Sequence, residues 1–230
     1  GTVNIQNPFV RNLASDVQSP EATWLWIILF VVLLTVIEFM TAASRKKAGL
    51  RAKPTSIIIA QTAIMALIGA GIAILFNTNR ALSPTAPPQA GMPTIAVIML
   101  GLLVVLTYIA ENTRFGRYVY AVGGNKEAAR RAGVRVERIR ILVYMLMGFM
   151  SGIGGIILAS RLKSVATDAG GGNLLLYVIA AAVIGGTSLF GGRGKVVIAV
   201  LGAVVVASVE NGMGLLNVSS VIRFGVTGLV

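Results

Sequence analysis

Residues 114–140 hold the largest group of charged side chains in this 230-residue chain, and they lie between two apolar stretches. Asn125 can cap a helix through its side-chain oxygen, Glu127 would fall in the first turn, and Gly133 can close the C-terminus. This pattern predicts a short charged helix within 124–133, about 10 Å long. Its chemistry is that of a contact surface, because charged and small side chains suit the approach of another protein.

Small side chains give this helix a second feature. Ala128, Ala129 and Ala132 are predicted to line one side, where a partner surface could come close. A solvated connecting loop, basic only because it is cytoplasmic, fits the same spacing and stays open as an alternative. The residues that we predict to form the contact are Gly124, Asn125, Lys126, Glu127, Ala128, Ala129, Arg130 and Gly133.

The chain contains few of the residue types that commonly serve in catalysis. It contains no Cys and no His, so a thiol nucleophile, a zinc site and an imidazole base are all excluded, and we predict no catalytic or metal-binding residue. Hydrophobic residues make up 56%, charged residues 12%, and the mean hydropathy is +0.84. The net charge of +12 could suggest nucleic acid, but the charges cluster between apolar runs, which indicates a membrane protein in a lipid bilayer.

The elements that position these residues are apolar runs, and a membrane span needs about 20 apolar residues. The sequence predicts an all-α polytopic bundle of about seven spans. They cover 24–43, 56–76, 93–110, 141–160, 173–190, 196–214 and 220 onward. Only 191–195 separates the fifth span from the sixth, so a re-entrant pair is the alternative there.

Basic residues fix the orientation of the spans. The segments 44–55, 111–140 and 191–195 hold five, eight and two basic residues, whereas the opposite loops hold four in all. Basic loops stay in the cytoplasm. This prediction places the first residues outside, and we expect the chain to lack segments at both ends.

A glycine-rich stretch at 185–194 raises the question of nucleotide binding. A phosphate-binding loop would need glycine at position 189 and Ser or Thr at position 196, but the chain has Leu189 and Val196. We therefore expect that any nucleotide hydrolysis that powers this protein takes place on a separate subunit. Glycine-broken helices at membrane depth instead line cavities. The residues that we predict along a translocation path are Asn173, Thr187, Ser188, Phe190, Glu210 and Asn211.

Two further features are structural or functional depending on context. Small residues spaced four apart, at 148 and 152, at 151 and 155 and at 182 and 186, predict close helix packing. Arg161 and Lys163 follow the fourth span on the external side. They are either solvated loop charges or a docking point for an acidic patch on an external delivery protein.

Three blocks carry a family resemblance: residues 114–140, 180–195 and 210–216. From about Arg114 to Val230 the chain resembles the membrane permeases of bacterial sugar ABC importers, in the ribose/xylose branch. The resemblance implies one permease domain over 1–230, truncated at both ends, in the inner membrane. It also implies a pairing with a second permease copy.

The resemblance further implies how such a permease would work. The helix at 124–133 would couple it to a cytoplasmic ATPase subunit, which binds ATP and Mg. An extracytoplasmic sugar-binding protein would dock at Arg161 and Lys163 and deliver a pentose such as xylose or ribose. The chain itself would not be an enzyme and would carry no cofactor.

Two other classes remain open on the residues alone. An ion-coupled secondary transporter predicts a partnered carboxylate in mid-span, whereas Glu38 and Glu210 both fall near the ends of their runs. A membrane-embedded enzyme predicts a polar catalytic cluster at membrane depth, for which this chain has no His, Cys or paired acids.

Overall fold

A computed structural model describes residues 2–47, 49, 54–79, 90–167, 170–171, 174–219, 222 and 225. Within these residues the chain is helical apart from two short strands that pair with each other, so the all-α prediction is confirmed. In chain order the elements are β1 (Val3–Asn4), α1 (Pro8–Asn12), α2 (Pro20–Lys47), α3 (Thr55–Asn77), α4 (Thr94–Asn112), α5 (Arg114–Gly124), α6 (Lys126–Arg131), α7 (Val136–Leu162), β2 (Ser164–Val165), α8 (Leu174–Ile184) and α9 (Val196–Leu215).

Among the described residues, five helices are long and apolar enough to cross a membrane, namely α2, α3, α4, α7 and α9. They confirm the first four predicted spans and the sixth. The fifth prediction was too long, because α8 has 11 residues and ends at Ile184 rather than at position 190. At 1.5 Å per residue it measures about 16 Å, roughly half of a bilayer's hydrocarbon core. The seventh predicted span lies outside the described residues except for 222 and 225, and so does Asn173.

The chain divides into two compact units, which we describe separately. The N-terminal unit comprises residues 4–104 and 159–164. The C-terminal unit comprises residues 1–3, 105–158 and 165–230, of which only the described residues are considered.

In the N-terminal unit, α2 and α3 pack against each other through small and hydroxyl side chains. The hydroxyl of Thr35 donates to that of Thr62 across 3.3 Å. At Gly69 the helices come so close that an added Cβ would lie 2.9 Å from a methyl carbon of Ile27. Such close approach is how helices gain contact in a bilayer, where apolar side chains alone provide no driving force between helices.

Segments at one end of the N-terminal unit meet through hydrogen bonds between backbone amides and buried hydroxyl groups. Thr23 is fully buried, and its hydroxyl accepts from the Met92 amide at 2.9 Å. Ser160 is also fully buried, and its hydroxyl accepts from the Ala14 amide at 2.8 Å. Three segments predicted to be external, before α2, before α4 and at the end of α7, therefore lie together as the orientation requires.

In the C-terminal unit, α8 and α9 pack with their backbones in near contact. A Cβ added to Gly202 of α9 would collide with the carbonyl oxygen of Ala181 in α8, and one added to Gly185 would collide with that of Ile198. Ala181 is buried at the same contact. Glycine at these positions is thus required by the approach of the two helices.

The small residues of α7 do not make the predicted contacts. A Cβ added to Gly148, Gly152 or Gly155 would meet no atom within 4 Å in the described structure. The prediction of tight packing at this stretch is therefore not realised among the described residues. The third predicted pair, at 182 and 186, lies where α8 packs against α9, and a Cβ added to Gly186 would be 4.0 Å from a methyl carbon of Ile198.

Candidate functional site

The short charged helix predicted at 124–133 is α6, and both of its predicted caps are confirmed. The Asn125 side-chain oxygen accepts from the Ala128 amide at 2.9 Å. At the other end Gly133 adopts φ of 82°, and its amide donates to the Arg130 carbonyl. The Val134 amide donates to the carbonyl of Ala129, which completes a Schellman motif. Six residues are too few for a stable isolated helix, so these caps define its ends.

The surface of α6 is exposed except at one residue. Lys126, Glu127, Ala128, Arg130 and the rest of the helix are exposed, whereas Ala129 is only 5% exposed. The structure thus separates the alanines that the sequence had placed on one partner-facing side. Ala129 faces inward and packs within its own chain, whereas the methyl groups of Ala128 and Ala132 are open to a partner.

Helix α5 leads directly into α6 and was not predicted as a separate element. Its N-cap Thr113 accepts from the Gly116 amide at 3.2 Å and donates to the Ile109 carbonyl at 2.6 Å. Gly116 is buried against the backbone of Ala110, where a Cβ would collide. The turn between α4 and α5 is therefore tightly built. At its far end α5 meets α6 at Asn125, which is the C-cap of one helix and the N-cap of the other.

The segment 185–195, which we call the glycine loop, connects α8 to α9. Helix α8 ends in a second Schellman motif, with the Thr187 amide bound to the Ala182 carbonyl and Gly186 at φ of 81°. Beyond it, the Ser188 amide donates to the Arg193 carbonyl at 3.0 Å, and the Gly191 amide donates to the Ser188 carbonyl at 3.1 Å. These bonds fold the glycine loop into a closed turn.

The glycine loop lies directly against the end of α5. A Cβ added to Gly123 would be 2.6 Å from the Gly192 nitrogen, and one added to Gly192 would be 2.6 Å from the Gly124 Cα. We call this backbone contact, between 123–124 and 191–192, the glycine seam. Beside it, the Tyr120 hydroxyl donates to the Gly194 carbonyl at 2.9 Å. Two segments predicted to be cytoplasmic therefore share one side of the protein.

An apolar cavity of about 640 Å³ lies next to the glycine seam, within the C-terminal unit. Its walls are mainly aliphatic, aromatic and methionine side chains, and Arg193 and Lys195 also border it. The lining residues are Leu106, Ile109, Ala110, Phe115, Gly116, Val119, Tyr120, Gly123, Val143, Leu146, Met147, Met150, Thr187, Ser188, Gly191, Gly192, Arg193, Gly194, Lys195, Val196 and Ala199.

Of the predicted path residues that the structure describes, it brings Thr187 and Ser188 together at one site. Thr187 and Ser188 both line the cavity. Phe190 is 97% exposed at the tip of the glycine loop, and Glu210 and Asn211 are exposed near the end of α9. Among the described residues, no three acidic side chains lie close enough together to hold a metal ion.

Arg161 and Lys163 both belong to the N-terminal unit and both are exposed. Lys163 has a φ of 55°, which is unusual for a residue with a side chain, and its amide donates to the Ser160 carbonyl at 3.3 Å. Its own carbonyl accepts from the Ile5 amide at 3.3 Å. The end of α7 is therefore anchored while its two basic side chains extend into the surroundings.

The sequence did not predict the contacts that fix the end of α5, from which α6 continues. Neither Tyr120 nor the contact of Gly123 with Gly192 was predicted. A signal existed, because paired glycines stand at 123–124 and at 191–192 in segments assigned to the same side of the membrane. Neither pair of glycines indicates by itself that it contacts the other pair.

Apolar helices long enough to span a bilayer, together with an exposed charged helix that is capped at both ends, define a polytopic membrane protein. The profile of the family described as "Branched-chain amino acid transport system / permease component" matches residues 13–230. The chain belongs to this family of permeases. It is a multi-pass protein of the bacterial inner membrane.

Its curated relatives agree with the resemblance to sugar permeases. The xylose transport system permease protein XylH of Escherichia coli (strain K12) is 39% identical over 187 residues, which are 81% of this chain and 44% of that protein. The ribose import permease protein RbsC of Bacillus subtilis (strain 168) is 42% identical over 140 residues, which are 61% of this chain and 43% of the relative. The chain thus spans less than half the length of these relatives. No solved structure matches it.

Proposed function

We propose that this chain is part of the permease subunit of a sugar ABC importer and forms the path for a monosaccharide. A pentose such as xylose or ribose is the proposed substrate, because the relatives named above are xylose and ribose permeases. ATP hydrolysis takes place on partner subunits that bind ATP and Mg, and a second permease copy completes the pathway. The observation that carries the proposal is α6, a capped helix with an exposed charged surface that follows directly on the end of α5, which packs against the backbone of the glycine loop.

Helix α6 is the proposed contact with the cytoplasmic ATPase. Its exposed side chains include Lys126, Glu127, Ala128 and Arg130, which offer charges of both signs around a small methyl group. The small side chain permits close approach, and the charges fix orientation more than they add affinity. A groove on the partner that accepts this helix would therefore fix both its distance and its orientation.

The proposed translocation path includes Thr187 and Ser188, whose hydroxyl groups are suited to sugar hydroxyls. They border the apolar cavity described above, close to the Tyr120 hydroxyl. Phe190 and the pair Glu210–Asn211 remain proposed path residues in the complete assembly.

Arg161 and Lys163 are the proposed docking point for the extracytoplasmic sugar-binding protein. Exposed ion pairs contribute only about 0–1 kcal/mol each, so one substitution should weaken docking modestly. Reversing both charges to Glu should weaken it further, and more so at low salt, where repulsion is less screened. The measurement is the binding-protein concentration that half-maximally stimulates ATP hydrolysis, taken across a salt series. An unchanged half-maximal concentration at low salt would remove these residues from the docking surface.

Uptake of radiolabelled pentose into proteoliposomes tests the proposed function as a whole. The full-length permease is reconstituted with its ATPase and sugar-binding protein, and ATP is enclosed on the ATPase side. We expect uptake that requires ATP and the binding protein and that persists when ionophores collapse the ion gradients. An ATPase variant unable to hydrolyse ATP serves as the control. Uptake driven by an ion gradient without ATP would instead identify a secondary transporter.

A further inference from the structure

The glycine seam is a direct contact between the backbones of two segments, the end of α5 and the glycine loop, with glycines on both sides. A Cβ added to Gly123 would lie 2.6 Å from the nitrogen of Gly192. A Cβ added to Gly191 would lie 2.8 Å from the carbonyl oxygen of Gly123. Packed side chains adapt to small shifts by changing rotamer, which lets helices slide past one another. A contact between backbones has no rotamers to change, so it moves as a unit or separates.

Tyr120 adds a directional bond to this contact. Its hydroxyl donates to the Gly194 carbonyl at 2.9 Å, and the ring is half-buried one turn before Gly123 on α5. Gly194 has a φ of 151° and lies just before Lys195, the residue that precedes α9. The hydrogen bond therefore connects α5 to the start of α9.

The connections on both sides of the seam are short. Asn125 alone separates α5 from α6 and caps both helices, so α5 and α6 form one continuous piece. On the other side, the glycine loop joins α8 to α9, which are themselves packed backbone to backbone at Gly202. A displacement of α6 can thus reach two membrane helices through contacts that have little freedom to deform.

We propose that the glycine seam and the Tyr120–Gly194 hydrogen bond transmit movement of α6 to α8 and α9, with Tyr120 as a positioning residue. This inference rests on the proposed function, because it assigns the route by which an ATPase bound to α6 would act on the path. The seam keeps α5, α6 and the glycine loop moving together. Opening the seam leaves α6 bound to the ATPase but disconnects it from the helices that line the path.

Glycines in α5 and α7 provide a matched test. Gly123→Ala places a methyl group against the Gly192 backbone, whereas a Cβ at Gly154 of α7, outside the seam and outside the proposed contact with the ATPase, meets nothing within 4 Å. Alanine has a higher helix propensity than glycine at both positions. In the complete transporter we expect Gly123→Ala to lower the sugar transported per ATP hydrolysed by about fivefold or more. We expect Gly154→Ala to leave this ratio unchanged, and both variants to keep basal ATP hydrolysis.

Tyr120→Phe tests the hydrogen bond without adding bulk, and Tyr118→Phe on the exposed side of α5 is its control. Loss of one hydrogen bond should lower the coupling ratio by roughly two- to tenfold in the first variant only. The rate of hydrogen exchange in peptide 186–195, measured on detergent-purified complexes of these variants, should rise in Tyr120→Phe and Gly123→Ala but not in the two controls.

The outcomes separate this inference from the proposed function. A wild-type complex that shows no ATP-driven uptake refutes the proposed function, and the transmission role falls with it. A wild-type complex that transports normally, with unchanged coupling ratios in both Gly123→Ala and Tyr120→Phe, overturns the transmission role alone. A parallel loss of transport and basal ATP hydrolysis in Gly123→Ala, with a normal ratio in Tyr120→Phe, would assign the seam to folding and would also overturn it.

Discussion

Replacing Asn125 by alanine removes the side chain that begins α6. The lost bond is the one from the Ala128 amide to the Asn125 side-chain oxygen, at 2.9 Å on the exposed surface. Loss of an N-cap costs about 0.5–2 kcal/mol. Because water can reach the freed amide, we expect a value near 1 kcal/mol. At that cost the ratio of closed to open helix falls about fivefold. A six-residue helix has few other bonds to offset the loss.

Hydrogen exchange of the segment 126–134 measures this change directly. We expect exchange at the Ala129 amide, which donates to the Asn125 carbonyl at 3.0 Å, to become about fivefold faster in Asn125→Ala. Asn125→Asp is the matched control, because it retains an acceptor and places a negative charge at the helix N-terminus. Exchange in that variant should stay at the wild-type rate or slow down.

Two results would refute this reasoning. One is an Asn125→Ala variant whose 126–134 exchange stays within the error of the wild type, since the cap would then contribute nothing. The other is an equal acceleration in Asn125→Asp, which would show that the amide group is needed for something other than accepting the Ala128 amide hydrogen.

Three further predictions concern packing and exposure. Ala129→Leu should lower the yield and thermal stability of the folded permease, because overpacking a buried site costs about 1–3 kcal/mol, whereas Ala128→Leu should fold normally and weaken ATPase co-purification. Gly202→Ala should lower the melting temperature measured by intrinsic fluorescence, because its methyl group would collide with α8, and Gly212→Ala on the same helix should not. Phe190→Cys in this cysteine-free chain should react rapidly with a water-soluble maleimide, and a slow reaction measured by mass shift would contradict the exposure of the loop tip.

The long helices could be predicted from the sequence because their information is local. A run of about 20 apolar residues in a membrane protein has few structures open to it other than a spanning helix, and the basic flanking residues indicate its orientation. The caps of α6 were also local, since Asn125 and Gly133 act within a few residues of themselves. Helix α8 was predicted too long because the run continues past Ile184, although Gly185 and Gly186 already close the helix there.

The rest depended on residues that are distant in sequence. Helix α5 has 11 residues and carries two arginines in its first turn, and a search for spans treats such a short segment as loop. The glycine seam joins positions nearly 70 residues apart, so neither pair of glycines indicates the other. Burial of Ala129 rather than Ala128 depends on the rotation of a single helical turn, which six residues are too few to specify by periodicity.

Site-specific cross-linking from α6 tests the central proposal most directly. The chain has no native cysteine, so Ala128→Cys provides one exposed thiol on α6, and Asp16→Cys provides a control in a segment predicted to be external. Each variant of the complete transporter is treated with a short heterobifunctional maleimide reagent, and the products are identified by mass spectrometry. We predict an adduct of residue 128 with the ATPase subunit and none from residue 16. An actively transporting complex in which residue 128 forms no such adduct, while its thiol still reacts fully, would contradict the assignment of α6 as the coupling helix.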